Sequence, residues 1–176
     1  MKPQSALFTL LLTTAIACFS ACSDESAHYP PAQFRTESQI RQGLASEDPK
    51  TRLYAVEAMR VRELRWPEAL EIARDIATDD QYGPDVRVYA LGQLQSLDGA
   101  DDALAVDVIG AAIEHGRAID ILWALYAAED FHAEGHDLSA LLPLLEDLVQ
   151  RHRQTGVHPW TDVVRQAEKL IGLMGR

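Results

Sequence analysis

The chain has little cysteine, few cationic side chains and few long apolar runs, and it lacks the short turns that carry much enzyme chemistry. Both cysteines, Cys18 and Cys22, stand within the first 22 of 176 residues. Beyond them no disulfide, thiol nucleophile or thiolate metal site can be built, so stability there comes from packing. No serine lies in a G-x-S-x-G turn or beside a histidine, which leaves nucleophile-elbow chemistry without its nucleophile. Glycine-rich phosphate loops are absent, and "DGADD" would repel a phosphate. After the N-terminal segment no apolar run approaches membrane-spanning length. Nor does any segment alternate apolar and polar residues with the period of a half-buried strand. Sixteen Lys and Arg stand against 27 Asp and Glu, a formal charge of −11. Such a surface repels phosphate backbones and anionic lipid, which disfavours nucleic acid and favours a basic protein or peptide as partner. Acidity also serves solubility alone.

The N-terminus carries the first positive signal. "MKPQS" holds one Lys, "ALFTLLLTTAIACFSA" is uncharged and apolar, and "SDES" turns polar. That order is an export signal, too short and wrongly flanked for a lasting membrane helix. "FSAC" resembles a bacterial lipoprotein signal, in which the Cys is lipidated and becomes the new N-terminus. The resemblance implies a signal peptide over 1–21, lipid attachment at Cys22, and a flexible tether with a Pro-Pro pair over 22–35. Cys18, in "AIAC", fits the same loose pattern, and a plain secretory cleavage near Ala21 is the simpler alternative. Ser23 resembles the outer-membrane sorting rule, in which Asp directly after the Cys causes retention; Asp24 is one place too late. The implied location is the cell envelope, at the outer membrane facing the periplasm. Several acyl chains would anchor the domain firmly where one would not. Lys2 is the only charge in the leader, so 15 basic against 27 acidic side chains remain, a net −12.

From Thr36 onward the apolar spacing is helical. Ile40 and Leu44 are four apart; Leu53, Val56, Ala58, Met59 and Val61 form a stripe, as do Leu70, Ile72, Ala73 and Ile76. The breaks are short: "SEDP", "RWP", "DDQYGPD", "LDGADD", "AEGHD" and "QTGVHP". Proline at the first helical position is a start signal, and Pro49, Pro67, Pro84 and Pro159 sit where it applies. These marks predict helices near 36–46, 49–64, 67–79, 84–97, 101–115, 118–131, 137–154 and 159–174.

One stretch recurs. "DPKTRLYAVEAM", residues 48–59, returns as "GPDVRVYALGQL", residues 83–94. An aromatic-Ala step marks the second helix of successive pairs, as Tyr54-Ala55, Tyr89-Ala90 and Trp123-Ala124, at spacings of 35 and 34 residues. A two-helix repeat of that length marks an α-solenoid, here of about four antiparallel helix pairs over 36–176. The last pair lacks the aromatic, as terminal repeats commonly depart from the pattern.

The recurring stretch resembles the second-helix motif of HEAT-type repeats, with its Asp-Pro, Val-Arg step and small apolar run. The resemblance covers residues 36–131 well and 137–174 weakly, and Leu122 stands where the third repeat would carry Arg. It implies that Arg52 bonds Asp48 or an acid of the adjacent repeat, and it says nothing of activity. Asp48 is placed to cap its helix, Ala55 and Ala90 to admit a close neighbour, and Tyr54 and Tyr89 to fill the gap between repeats. Trp123 is expected in the core. Trp66 and Trp160 are expected to staple helix entries, with an exposed interface role as the alternative.

Candidate chemistry is sparse. His132, Glu134, His136 and Asp137 in "HAEGHD" include proper Zn²⁺ ligands, but the spacing straddles a helix end, and a polar turn with Asp137 as a cap explains it equally. His115 is placed as a helix C-terminal residue, and His152 and His158 as solvated loop residues. Asp79-Asp80 and Asp101-Asp102 sit at turns and read as caps. No catalytic residue, metal or cofactor is expected, and the chain is not expected to be an enzyme. The expectation is a lipid-anchored envelope protein that binds another protein through a face lined by Glu57, Arg60, Gln93 and Gln95. It acts as a scaffold or as an immunity-type inhibitor of a periplasmic toxin or hydrolase. The alternatives are an envelope enzyme with a site assembled across repeats, and a metal-binding protein using His132 and His136.

Overall fold

The computed structural model describes residues 34–64 and 66–175. Cys18, Cys22 and the expected leader lie outside the described residues. Helix starts follow from proline and capping chemistry. Thr36 caps α1 (Glu37–Leu44) in a capping box with Gln39. Asp48 accepts the Thr51 N–H at 2.8 Å to cap α2 (Pro49–Val61), and Pro49, with no N–H to leave unpaired, fills the first position. Proline also opens α3 (Pro67–Thr78) and α4 (Pro84–Ser96). Asp101 caps α5 (Asp102–His115) by accepting the Leu104 N–H at 2.9 Å. Then come α6 (Ala118–Ala133), a 3₁₀ turn at Ser139–Leu141, α7 (Leu142–His152) and α8 (Trp160–Met174). The fold is all-α: eight α-helices and no strand among the described residues.

Helix ends repeat as well. At the ends of α2, α4 and α6 a residue with positive φ turns the chain: Glu63 (φ 57°), Asp98 (φ 55°) and Gly135 (φ 95°). In each case the following N–H reaches back five residues, Leu64 to Met59, Gly99 to Leu94 and His136 to Phe131, at 3.0, 2.8 and 3.1 Å. Three Schellman caps thus satisfy helix-end carbonyls at the same place in successive units.

The helices pack α1 on α2, α3 on α4, α5 on α6 and α7 on α8, and α2, α4, α6 and α8 also contact one another in that order. Ala55, Ala90 and Ala124 are fully buried, small enough to let the paired helix close in. The larger core runs from Leu53 through Leu91, Ile109 and Phe131 to Leu170. A second cluster joins Phe34, Ile40, Leu44, Val56 and Met59. Each such side chain removed from water contributes about 1.5–3 kcal/mol. Phe34 corrects the tether boundary: expected in the flexible segment 22–35, it is buried against Gly43. Gly43 is what admits it, because a Cβ there would run into the Phe34 ring and stand 2.8 Å from Ala55 Cβ.

The repeat arginines take different partners. Buried Arg87 donates to Ala77 O at 2.8 Å and pairs with Asp80 at 2.8 Å and Asp107 at 3.1 Å. Arg52 bonds the Tyr82 hydroxyl at 2.9 Å, not Asp48 or a neighbouring acid, because Thr51 holds the Asp48 carboxylate through both its N–H and its hydroxyl. In the third unit the 34-residue step puts Ile121, not Leu122, at the place of Arg52 and Arg87; it is apolar and needs no partner, and Arg117 and Asp120 pair at the start of α6 at 2.8 Å.

Candidate partner-binding face

The second helices α2, α4 and α6 carry the aromatic of the repeat at one register. Tyr54 and Tyr89 meet edge to face, ring centroids 5.8 Å apart, a favourable arrangement for ring quadrupoles. Both are half-buried. Trp123, expected in the core, is 50 % exposed. The physical reason is that Ile121, Ala124, Leu125, Ala128 and Phe131 already fill the inward face of α6. Trp123 therefore turns outward with Ile119 and Tyr126, each 43 % exposed. Spacings of four and then three residues place these three on one helical face, and Trp123 and Tyr126 meet edge to face at 6.1 Å.

Electrostatics organise the same row. At its N-terminal edge Lys50 reaches across from α2 to Asp85 of α4 at 3.0 Å, and the bond raises the Lys50 pKa. The Arg117 side chain, bonded to Asp120, holds that carboxyl below the usual range. In the middle, Tyr89 donates its hydroxyl to Glu57 Oε2 at 2.6 Å. Burial first, and then that carboxylate, pushes the Tyr89 hydroxyl far up from its ordinary value. Toward α8, Glu129 takes Lys169 and Gln166 at 2.6 and 2.5 Å, and both bonds lower its pKa.

The four side chains expected to line a face are split by the fold. Glu57 and Gln93 are buried, 9 % and 6 % exposed, Glu57 because it faces Tyr89 of the neighbouring helix. Gln93 Oε1 has no hydrogen-bond partner among the described residues. Arg60 is exposed and Gln95 half-buried. Arg60 instead borders a cleft of about 710 Å³ at the ends of α2 and α4, with Glu63, Trp66, Leu97 and Asp98.

The remaining expectations are redistributed too. Among the described residues no three His, Cys, Asp or Glu side chains gather as metal ligands. His136 bonds Asp102 at 2.6 Å and lies against Phe131. Asp137 accepts the Ser139 N–H at 3.0 Å ahead of the 3₁₀ turn. His152, expected in solvent, stacks on Trp160 at 3.7 Å, and burial lowers its pKa. Trp160 is the first residue of α8, and Trp66 is the N-cap of α3 under the Arg41 guanidinium at 3.9 Å. Both are packed, but neither occupies the position before the N-cap that a staple needs.

What sequence reasoning passed over is the stripe Ile119, Trp123, Tyr126. Its signal is present: "AIDILWALYAAEDF" is apolar on more than one face, and the inward face is the one that the buried residues of α6 occupy. No described helix is long and apolar enough to cross a membrane. Comparison with family models, with curated proteins and with solved structures yields no match.

Proposed function

We propose that this chain is a lipid-anchored protein of the bacterial cell envelope that works as a protein-binding module. Its helices form a HEAT-like solenoid of about four antiparallel pairs, with α2, α4, α6 and α8 side by side as the binding face. The order of contacts between second helices and the three equivalent Schellman caps support that stacked arrangement. The binding reading is carried by the second apolar stripe of α6: Ile119, Trp123 and Tyr126 are about half exposed and stand outside the core cluster. Trp and Tyr are the side chains in which binding energy concentrates. The partner is a protein with a basic surface, complementary to a formal charge of −11. Lipid at Cys22 holds the module at the outer membrane facing the periplasm. The face acts by complementarity alone, as an immunity-type inhibitor or an assembly scaffold does.

A photo-crosslinking residue placed at Ile119 of the full-length chain in cells should trap one discrete protein adduct. Trp123→Ala combined with Tyr126→Ala should abolish it. An adduct that is absent, or that forms equally from a position on the opposite side such as Glu71, overturns the reading. Cys22→Ala should move the protein to the soluble fraction; persistence at the membrane would transfer the anchor to Cys18 or remove the lipid assignment.

A further inference from the structure

We propose that the second-helix face contains a receptor for one arginine side chain of the partner, formed by the Glu57 carboxylate and the open space over Gly92. The inference rests on the binding reading above and names the chemistry of its central contact.

Glu57 is more than nine-tenths buried, and among the described residues the Tyr89 hydroxyl is the group that bonds it. A neutral phenol does not balance a carboxylate, and a carboxylate withdrawn from water without a cation is costly. Arg60, one turn on, is near enough to act on the Tyr89 hydroxyl, yet it lines the separate cleft and forms no ion pair with Glu57. Among the described residues no cation forms an ion pair with that carboxylate.

Gly92 is the second observation, independent of the first. It lies inside α4, where glycine is a poor helix former, and no atom stands within 4 Å of where its Cβ would be. Packing therefore does not keep this residue small. The repeat explains where the space opens. Gly92 follows Glu57 by 35 residues and precedes Tyr126 by 34, the same steps that set Tyr89 between Tyr54 and Trp123. With α2 on α4 and α4 on α6, those steps put Glu57 and the exposed Tyr126 at the equivalent positions of the two neighbouring helices, and Glu57 reaches α4 at Tyr89, one turn before Gly92. A guanidinium suits those neighbours better than an ammonium, since it is planar, stacks on aromatic rings and bonds carboxylates through a fork of donors.

The test titrates the full chain in detergent, isotope-labelled in glycine and tyrosine, with N-acetyl-arginine amide. Saturable shifts of the Gly92 amide and the Tyr89 ring are expected in the millimolar range, with none from the uncharged isostere N-acetyl-citrulline amide. Glu57→Gln should weaken the association about tenfold. Gly92→Leu should abolish it while raising the thermal midpoint, a combination that a purely structural role for Gly92 does not produce. Absent shifts, equal shifts with the citrulline probe, or unchanged binding in Gly92→Leu overturn the proposal. If the Ile119 adduct forms while the arginine titration fails, the receptor falls and the binding module stands. Loss of the adduct from the intact chain removes the module itself.

Discussion

Tyr89 on α4 donates its hydroxyl to the buried carboxylate of Glu57 on α2 across 2.6 Å. One bond thus joins two successive repeats at the centre of the second-helix row. Tyr89→Phe leaves the Glu57 carboxylate buried with no donor, and should cost about 1–3 kcal/mol in urea unfolding at neutral pH. Burial and Glu57 raise the Tyr89 pKa above its ordinary 10.0. The folded state therefore keeps a proton that the unfolded chain gives up as pH climbs past 10.0. The stabilisation is complete below that pH and shrinks above it. The gap between wild type and Tyr89→Phe should stay constant to about pH 10 and narrow beyond; a constant gap at higher pH would count against the bond.

Two glycines should respond with opposite sign. Gly92→Ala adds a methyl to open space inside a helix and should raise stability by about 1 kcal/mol. Gly43→Ala drives a methyl into Phe34 and Ala55 and should lower it by about 1–3 kcal/mol. Thermal midpoints of the two variants, measured side by side, decide both.

The placement of Trp123 is checked against its neighbour. Leu125 is fully buried, so Leu125→Ala should cost about 2–5 kcal/mol. Trp123→Ala, although it removes the larger side chain, should cost about 1 kcal/mol, because half of that side chain is already in water. Equal losses in chemical denaturation would return Trp123 to the core.

Arg87 bridges a backbone carbonyl and two carboxylates from a buried position. Arg87→Ala strands the Ala77 carbonyl and should cost about 1–3 kcal/mol. Asp80 and Asp107 are largely exposed, so replacing either with Ala should cost at most about 1 kcal/mol. Double-mutant cycles in urea separate the carbonyl contribution from the two ion pairs.

Much of the local structure was legible because it depends on neighbours in sequence. Asp48, Pro49 and Pro84 mark helix starts through groups three or four residues away, and Ala55, Ala90 and Ala124 announce close packing through their size. The face was less legible. Helical phase alone put Glu57 and Gln93 outward, but the phase that counts is set by which neighbouring helix covers which side. Arg52 illustrates the same limit: its register matches Arg87, yet it bonds the Tyr82 hydroxyl and forms no ion pair among the described residues.

Periodicity, capping residues and the 35- and 34-residue steps determine by themselves that this chain makes helices, where they begin, and that successive units repeat, because those are short-range preferences of backbone and side chain. Only the tertiary structure decides that Trp123 faces water while Ala124 and Leu125 face the core. It also decides that Glu57 meets a phenol and, among the described residues, forms no ion pair. An apolar helix offers several faces to burial, and the adjoining helices have room for one of them.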